Sequence, residues 1–269
     1  MPKYRVSPFD KNEIENLRRS LSGVLDFPMG DLEQIYKDMC EKFDDEDNPP
    51  TKRYEADRNV FFNGASHRVE FYRNAAVIGV DLPIAIQGDQ KNGKTIVIVG
   101  QDPLRKTKNP NLDIGTPYEV HRHYGRIKAR HRLYFQHIKL LLDEGYRVYL
   151  TDVAKVWVGE MHGVVLRPRT LHSNDHRDFL RVLKAEIGNI SPFCVLTWGA
   201  KAKDAIKDLA LDDSRCPHYS SPHPAARSSD WEDILQAQCG HETRATNEAK
   251  LRYWQDMLQR NRVLPSLSA

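Results

Sequence analysis

The sequence predicts an α/β protein. The expected form is a three-layer α/β/α sandwich with a central, mostly parallel sheet of about four strands and an added N-terminal helical segment. Three observations predict it. Short apolar runs rich in β-branched residues recur at 95–100 (TIVIVG), 146–151 (YRVYLT) and 192–197 (PFCVLT). Such runs suit strands that are buried on both faces of a parallel sheet. Segments of helical period alternate with them, as in a sheet covered by helices on both sides. Finally, 269 residues with 40% hydrophobic content are enough to bury a sizeable core.

The elements follow in order. Residues 10–42 read as two helices. Asp10 and Glu13 stand at capping-box spacing, and Ile14, Leu17, Leu21, Val24 and Leu25 recur on one helical face. A turn near 28–30 separates the second helix, and the acidic, proline-bearing stretch 44–51 (DDEDNPPT) is a loop. Residues 75–86 read as a strand or strand pair. After the strand at 95–100 come a basic helix at 124–143, ended by Gly145, and the strand 146–151. A helix at 175–188, the strand 192–197, a helix at 200–209 and a short strand near 216–220 follow, and helices at 229–238 and 246–260 close the chain. The composition shift divides the chain into a helical extension, 1–74, and an α/β/α domain, 75–269.

Composition excludes several classes. With 29% charged residues, 15 Gly and 15 Pro, the chain is not collagen-like, coiled-coil or wholly disordered. No apolar run approaches the roughly 20 residues of a membrane helix, and the start, MPKYRVSPFD, lacks a signal-peptide apolar stretch. A soluble cytoplasmic monomer without membrane contact is expected. Cys40, Cys194, Cys216 and Cys239 form no CxxC pair and read as free thiols. The net charge of +3 hides a local excess: residues 104–147 carry ten Lys or Arg against four acids. Such a segment suits contact with phosphates.

Ligands of parallel sheets bind beyond the carboxyl ends of the strands. The residues there are Gly100-Gln101-Asp102-Pro103, Asp152, Trp198-Gly199 and Ser221-Pro222-His223-Pro224. Two acids and a histidine thus converge on one edge. Two other patterns carry less. Residues 88–95 fit GxxxxGK[ST], but a strand follows Lys94 where phosphate binding needs a helix, so the segment reads as a turn. His121 and His123 are spaced for a metal, but no third ligand accompanies them.

Five segments resemble the uracil-DNA glycosylase superfamily. Gly100-Gln101-Asp102-Pro103 matches its water-activating GQDP motif, and Gly115-Thr116-Pro117-Tyr118 resembles the segment whose aromatic ring stacks on the extruded base. Leu150-Thr151-Asp152-Val153 is similar to the base-reading strand end, Leu196-Thr197-Trp198-Gly199 to the following strand, and Ser221-Pro222-His223-Pro224 to the histidine loop. The resemblance implies base flipping and hydrolysis of a glycosidic bond in DNA, without metal or organic cofactor. It implies Asp102 and His223 as catalytic residues, and Gln101, Leu104, Tyr118 and Asp152 around the base. Arg105, Lys106 and Arg227 are expected on the DNA, with Arg227 in the wedge position of the final loop.

Two departures carry information. Asp152 stands where the family has the Asn that reads uracil. An ionised carboxylate only accepts hydrogen bonds, so it repels uracil O4 but accepts from the N4 amine of cytosine. Burial would raise its pKa and let it donate to cytosine N3. Leu104 stands where uracil enzymes carry a Tyr that blocks 5-methyl groups, which leaves room beside C5. Together they point to a 5-substituted cytosine such as glucosylated 5-hydroxymethylcytosine in phage DNA, removed in antiviral defence. The alternatives are a uracil-DNA glycosylase and a catalytically silent DNA-binding relative. The alignment leaves open whether Thr151 or Asp152 faces the base.

Overall fold

The computed structural model describes residues 4–7, 9–58, 71–72, 74–127, 132–171, 174–212, 214–239 and 244–265. Its eleven described strands form two sheets. The larger has six strands in the order β1 (Arg5–Val6), β4 (Ile84–Gln87), β7 (Arg147–Asp152), β5 (Thr95–Gly100), β10 (Cys194–Trp198) and β11 (His218–Ser221). The last four run parallel; β4 and β1 extend the sheet antiparallel. The expected parallel core of four strands is therefore present, with two further strands at its edge.

Alternation along these strands builds three layers. Val97, Val99, Tyr149 and Val195 face one side, where Leu183 and Ile187 of α5 (Asp175–Ile190) and Ala202, Ala205 and Ile206 of α6 (Ala200–Asp208) cover them. Ile96, Ile98, Val148, Leu150 and Leu196 face the other, against α4 (Arg132–Asp143) and α8 (Asn247–Arg260). Burying both faces is what the unbroken apolar runs require.

The N-terminal region is more than helical. α1 (Lys11–Leu21) starts at the capping box: Glu13 N–H donates to Asp10 Oδ1 at 2.8 Å, and Asp10 N–H to Glu13 Oε2 at 3.1 Å. With α2 (Met29–Glu41) it buries Leu17, Leu21, Leu32 and Met39 in the common core. But β1 joins the main sheet, and β2 (Tyr54–Ala56) joins a second, five-stranded sheet. That sheet runs β2, β6 (Leu112–Gly115), β3 (Val77–Asp81), β8 (Trp157–His162), β9 (Val165–Pro168). Only β3 falls in a stretch expected as strand; β2, β6 and β9 are three or four residues long and carry no clean periodicity. The pair expected within 75–86 divides, β3 going to one sheet and β4 to the other. The basic helix splits into α3 (His123–Ile127) and α4, with 128–131 outside the described residues. The remaining helix, α7 (Ser228–Cys239), precedes α8. No described helix is long and apolar enough to cross a membrane.

Candidate active site

Because β5, β7 and β10 are parallel, their carboxyl ends share one edge. The register sets Gly100 directly beside Asp152 and Trp198 beside Ser221. Gln101 and Asp102 leave the end of β5, and His223 lies just past β11. These side chains open on a cavity of about 570 Å³ that Leu104, Arg105, Lys106 and Tyr118 also line. Arg227 does not line it; it is exposed just before α7. Leu104, 53% exposed, sits at the mouth.

Two glycines permit this crowding. A Cβ on Gly100 would lie 2.3 Å from Asp152 Oδ1 and 2.7 Å from the Tyr118 hydroxyl oxygen. Only a residue without a side chain lets the carboxyl and the phenol meet there. Gly199, at φ +91°, lets the His223 loop pack 3.3 Å from where its Cβ would stand.

Strand alternation sets Thr151 and Asp152 on opposite sides of β7. Thr151 is turned away from the cavity: its hydroxyl donates to Glu186 Oε2 at 3.0 Å and accepts from Lys155 Nζ at 2.8 Å. Lys155 and Glu186 form an ion pair at 2.7 Å, each side chain 1% exposed. Asp152 lines the cavity. Burial, followed by the negative charge of Asp81, pushes its carboxyl well above the usual carboxylate range. Asp102, half-buried, accepts a hydrogen bond from Gln101 Nε2 at 2.5 Å.

His223 has a defined tautomer. Its Nδ1 accepts from the Ala225 N–H at 3.3 Å, so a neutral ring carries its proton on Nε2. That atom faces the Tyr118 hydroxyl at 3.3 Å. Burial, then the nearby Lys250 ammonium, lowers the imidazole pKa to about 4. Tyr118 itself sits in a strained single turn, Pro117–Glu119, where Tyr118 and Glu119 both have φ 57°. One face of its ring is already stacked on Tyr134, with centroids 4.0 Å apart. The expected stacking platform is thus one half of a tyrosine pair, and its hydroxyl reaches the histidine.

Arg105 is corrected. It is expected on phosphates, yet its side chain is 3% exposed and salt-bridged to Asp81 and Asp113, both at 2.7 Å. Its remaining N–H groups donate to the carbonyls of Val80, Pro103 and Asp113. It pins the loop after β5 to the second sheet. Asp113 also pairs with Arg53 Nε at 3.1 Å, and Arg53 with Glu119 at 2.9 Å. Arg53, Asp81, Asp113, Glu119 and Tyr134 all line the cavity and were missed, because the strand-end reading covered one sheet only. Asp81 closes β3, so the same rule applied there would have found it; the other four lie inside or away from strand ends.

The basic segment is also less free than its count suggests. Arg126 pairs with Asp44 at 2.6 Å, Lys139 with Asp143 at 2.6 Å and Arg147 with Glu13 at 2.8 Å. Lys106, Lys108 and Arg132 remain exposed; Lys128 and Arg130 lie outside the described residues. His121 is buried with both ring nitrogens engaged, Nδ1 with Thr116 Oγ1 at 2.7 Å and Nε2 with the Thr51 carbonyl at 3.1 Å.

A sequence model of the uracil DNA glycosylase superfamily matches residues 87–258, well over half of the chain. The chain belongs to this superfamily. No curated protein matches it. The match runs from the end of β4 to α8 and so includes the main parallel core and its strand-end residues. Arg53 and Asp81 lie before it, and they bring the N-terminal region and the second sheet to the cavity that the superfamily's core supplies.

Proposed function

We infer that the protein is a monofunctional DNA glycosylase. In this reading it flips a 5-substituted cytosine, such as glucosylated 5-hydroxymethylcytosine of phage DNA, out of the duplex and hydrolyses its glycosidic bond. The product is an abasic site, and the role is antiviral defence by a cytoplasmic monomer.

The observation that carries this reading is the buried Asp152 beside Gly100, where burial favours the protonated form of its carboxyl. Its O–H can donate to cytosine N3 while its carbonyl oxygen accepts from the N4 amine. As the bond to C1′ breaks, the proton moves to N3 and neutralises a poor leaving group. Uracil already holds a hydrogen on N3 and has no place for that proton. The cavity, at about 570 Å³, exceeds what a pyrimidine ring fills. Its lining includes Arg53, Asp113 and Glu119, polar groups that suit a hydroxyl-rich substituent. Unmodified host cytosine leaves that space empty.

The other residues have separate tasks. The Asp102 carboxylate stabilises positive charge at C1′ and orients the attacking water. His223 donates Nε2–H to O2 as the base leaves. Lys155 is committed to Glu186 and Thr151, which supports hydrolysis over Schiff-base chemistry. Lys106 contacts the DNA backbone, and Arg227 takes the wedge position beside the flipped base.

Incubation with duplexes carrying uracil, cytosine, 5-hydroxymethylcytosine or its glucosylated form, scored for abasic sites, tests the reading. Cleavable sites are expected at the 5-substituted cytosines, with unmodified cytosine spared. Reaction at uracil alone overturns it.

A further inference from the structure

We propose that Lys250 is a positioning residue for base excision: from α8 it holds the loop that carries His223 and sets a positive charge at the carbonyl next to it. The proposal rests on the reading of His223 as the donor to the leaving base.

Lys250 is only 7% exposed and, among the described residues, forms no ion pair. A buried ammonium without a carboxylate is costly, so its placement calls for a reason. Its Nζ donates to the carbonyl of Pro224 at 3.3 Å. It also lies 5.2 Å from the ring centroid of Trp231, a cation–π contact. Trp231, from α7, donates its indole N–H to the carbonyl of His223 at 3.1 Å. Consecutive carbonyls of the histidine loop are thus held by two packed helices, and Lys250 braces both.

The charge has a second consequence. A neutral His223 accepts the Ala225 N–H at Nδ1 and presents Nε2–H to the cavity. Protonation would place a hydrogen on Nδ1, donor against donor, and release the contact that orients the ring. The other titratable groups around the imidazole are Tyr118 and Tyr134, with Asp102 and Asp152 across the cavity. The carboxylate of Asp102 favours the protonated ring; the Lys250 cation opposes it. His137, buried on the far side of Trp198, feels the same cation.

The test uses Lys250→Gln, Lys250→Met and Lys250→Arg in the full chain. The readouts are the imidazole titration of His223 by nitrogen-15 NMR and single-turnover rates against pH on the duplex the protein cleaves best. Lys250→Gln keeps a donor and loses the charge. Its His223 midpoint is expected to move up from about 4, and the acid limb of the rate profile with it. Lys250→Met also loses the donor. Its kcat at neutral pH should fall by about tenfold or more, with KM little changed, as for a misplaced catalytic group. Lys250→Arg should restore both. An unchanged His223 midpoint in Lys250→Gln, or an Arg variant no better than Met, overturns the proposal. If no duplex is cleaved, the reading of His223 fails, and the NMR titration still decides whether Lys250 acts on the ring.

Discussion

Asp102→Asn is expected to lower the single-turnover rate of base release by about two to three orders of magnitude. Duplex affinity should change little. The substitution keeps the size of the side chain and its place after β5, where Gln101 lies 2.5 Å away. It removes the negative charge that faces the developing cation at C1′. An amide in that place neither stabilises the cation nor accepts a proton from the attacking water. Quenched-flow measurement with excess enzyme, beside a binding isotherm on the same duplex, separates the two effects. A variant that binds and cleaves like the wild type would show that Asp102 is not part of the chemistry and would favour a silent DNA-binding relative.

Asp152→Asn should reverse substrate preference. Burial favours the protonated form of this carboxyl, which can pass a proton to the base; an amide has none to transfer. Release of 5-substituted cytosine is expected to fall by about 10²–10⁴-fold, the usual worth of general acid catalysis. Uracil, which leaves with its N3 hydrogen in place, gains an amide that can accept from N3–H and donate to O4. Rates for both bases, measured on otherwise identical duplexes, report the ratio. A ratio equal to that of the wild type would remove Asp152 from the reading of the base. Thr151 offers no substitute, since its hydroxyl is spent on Glu186 and Lys155.

The legible parts of the molecule were those with local signals. The run TIVIVG declares a strand buried on both faces, and β5 occupies those residues with Ile96 and Ile98 on one side and Val97 and Val99 on the other. Asp10 and Glu13 declare a helix start, and the cap forms as the spacing predicts. Strand-end logic then brings Gln101, Asp102, Asp152 and His223 together without any knowledge of loops. Parallel strands of known direction leave only one edge for them.

What stayed hidden depends on distance along the chain. Arg105 looks like one more cation in a basic segment, and only the fold reveals that Asp81, 24 residues earlier, and Asp113, 8 residues later, enclose it. Lys250 lies in an ordinary amphipathic helix, and its partner Pro224 is 26 residues away. The second sheet uses strands as short as Tyr54–Ala56 and Leu112–Gly115, too brief for a period of two to stand out. Its contribution to the cavity wall therefore shows in the sequence only through Asp81, the residue that ends β3.

Hydrolytic release of a 5-substituted cytosine, with Asp152 as proton donor, leaves the intact free base as product. Mass spectrometry of the small molecules released from a duplex with a single glucosylated 5-hydroxymethylcytosine tests it most directly. The account predicts the free, intact glucosylated base, equimolar with abasic sites and lost in Asp102→Asn. Free glucose with the base still in the strand, or release of a base only from a uracil-containing duplex, would contradict it.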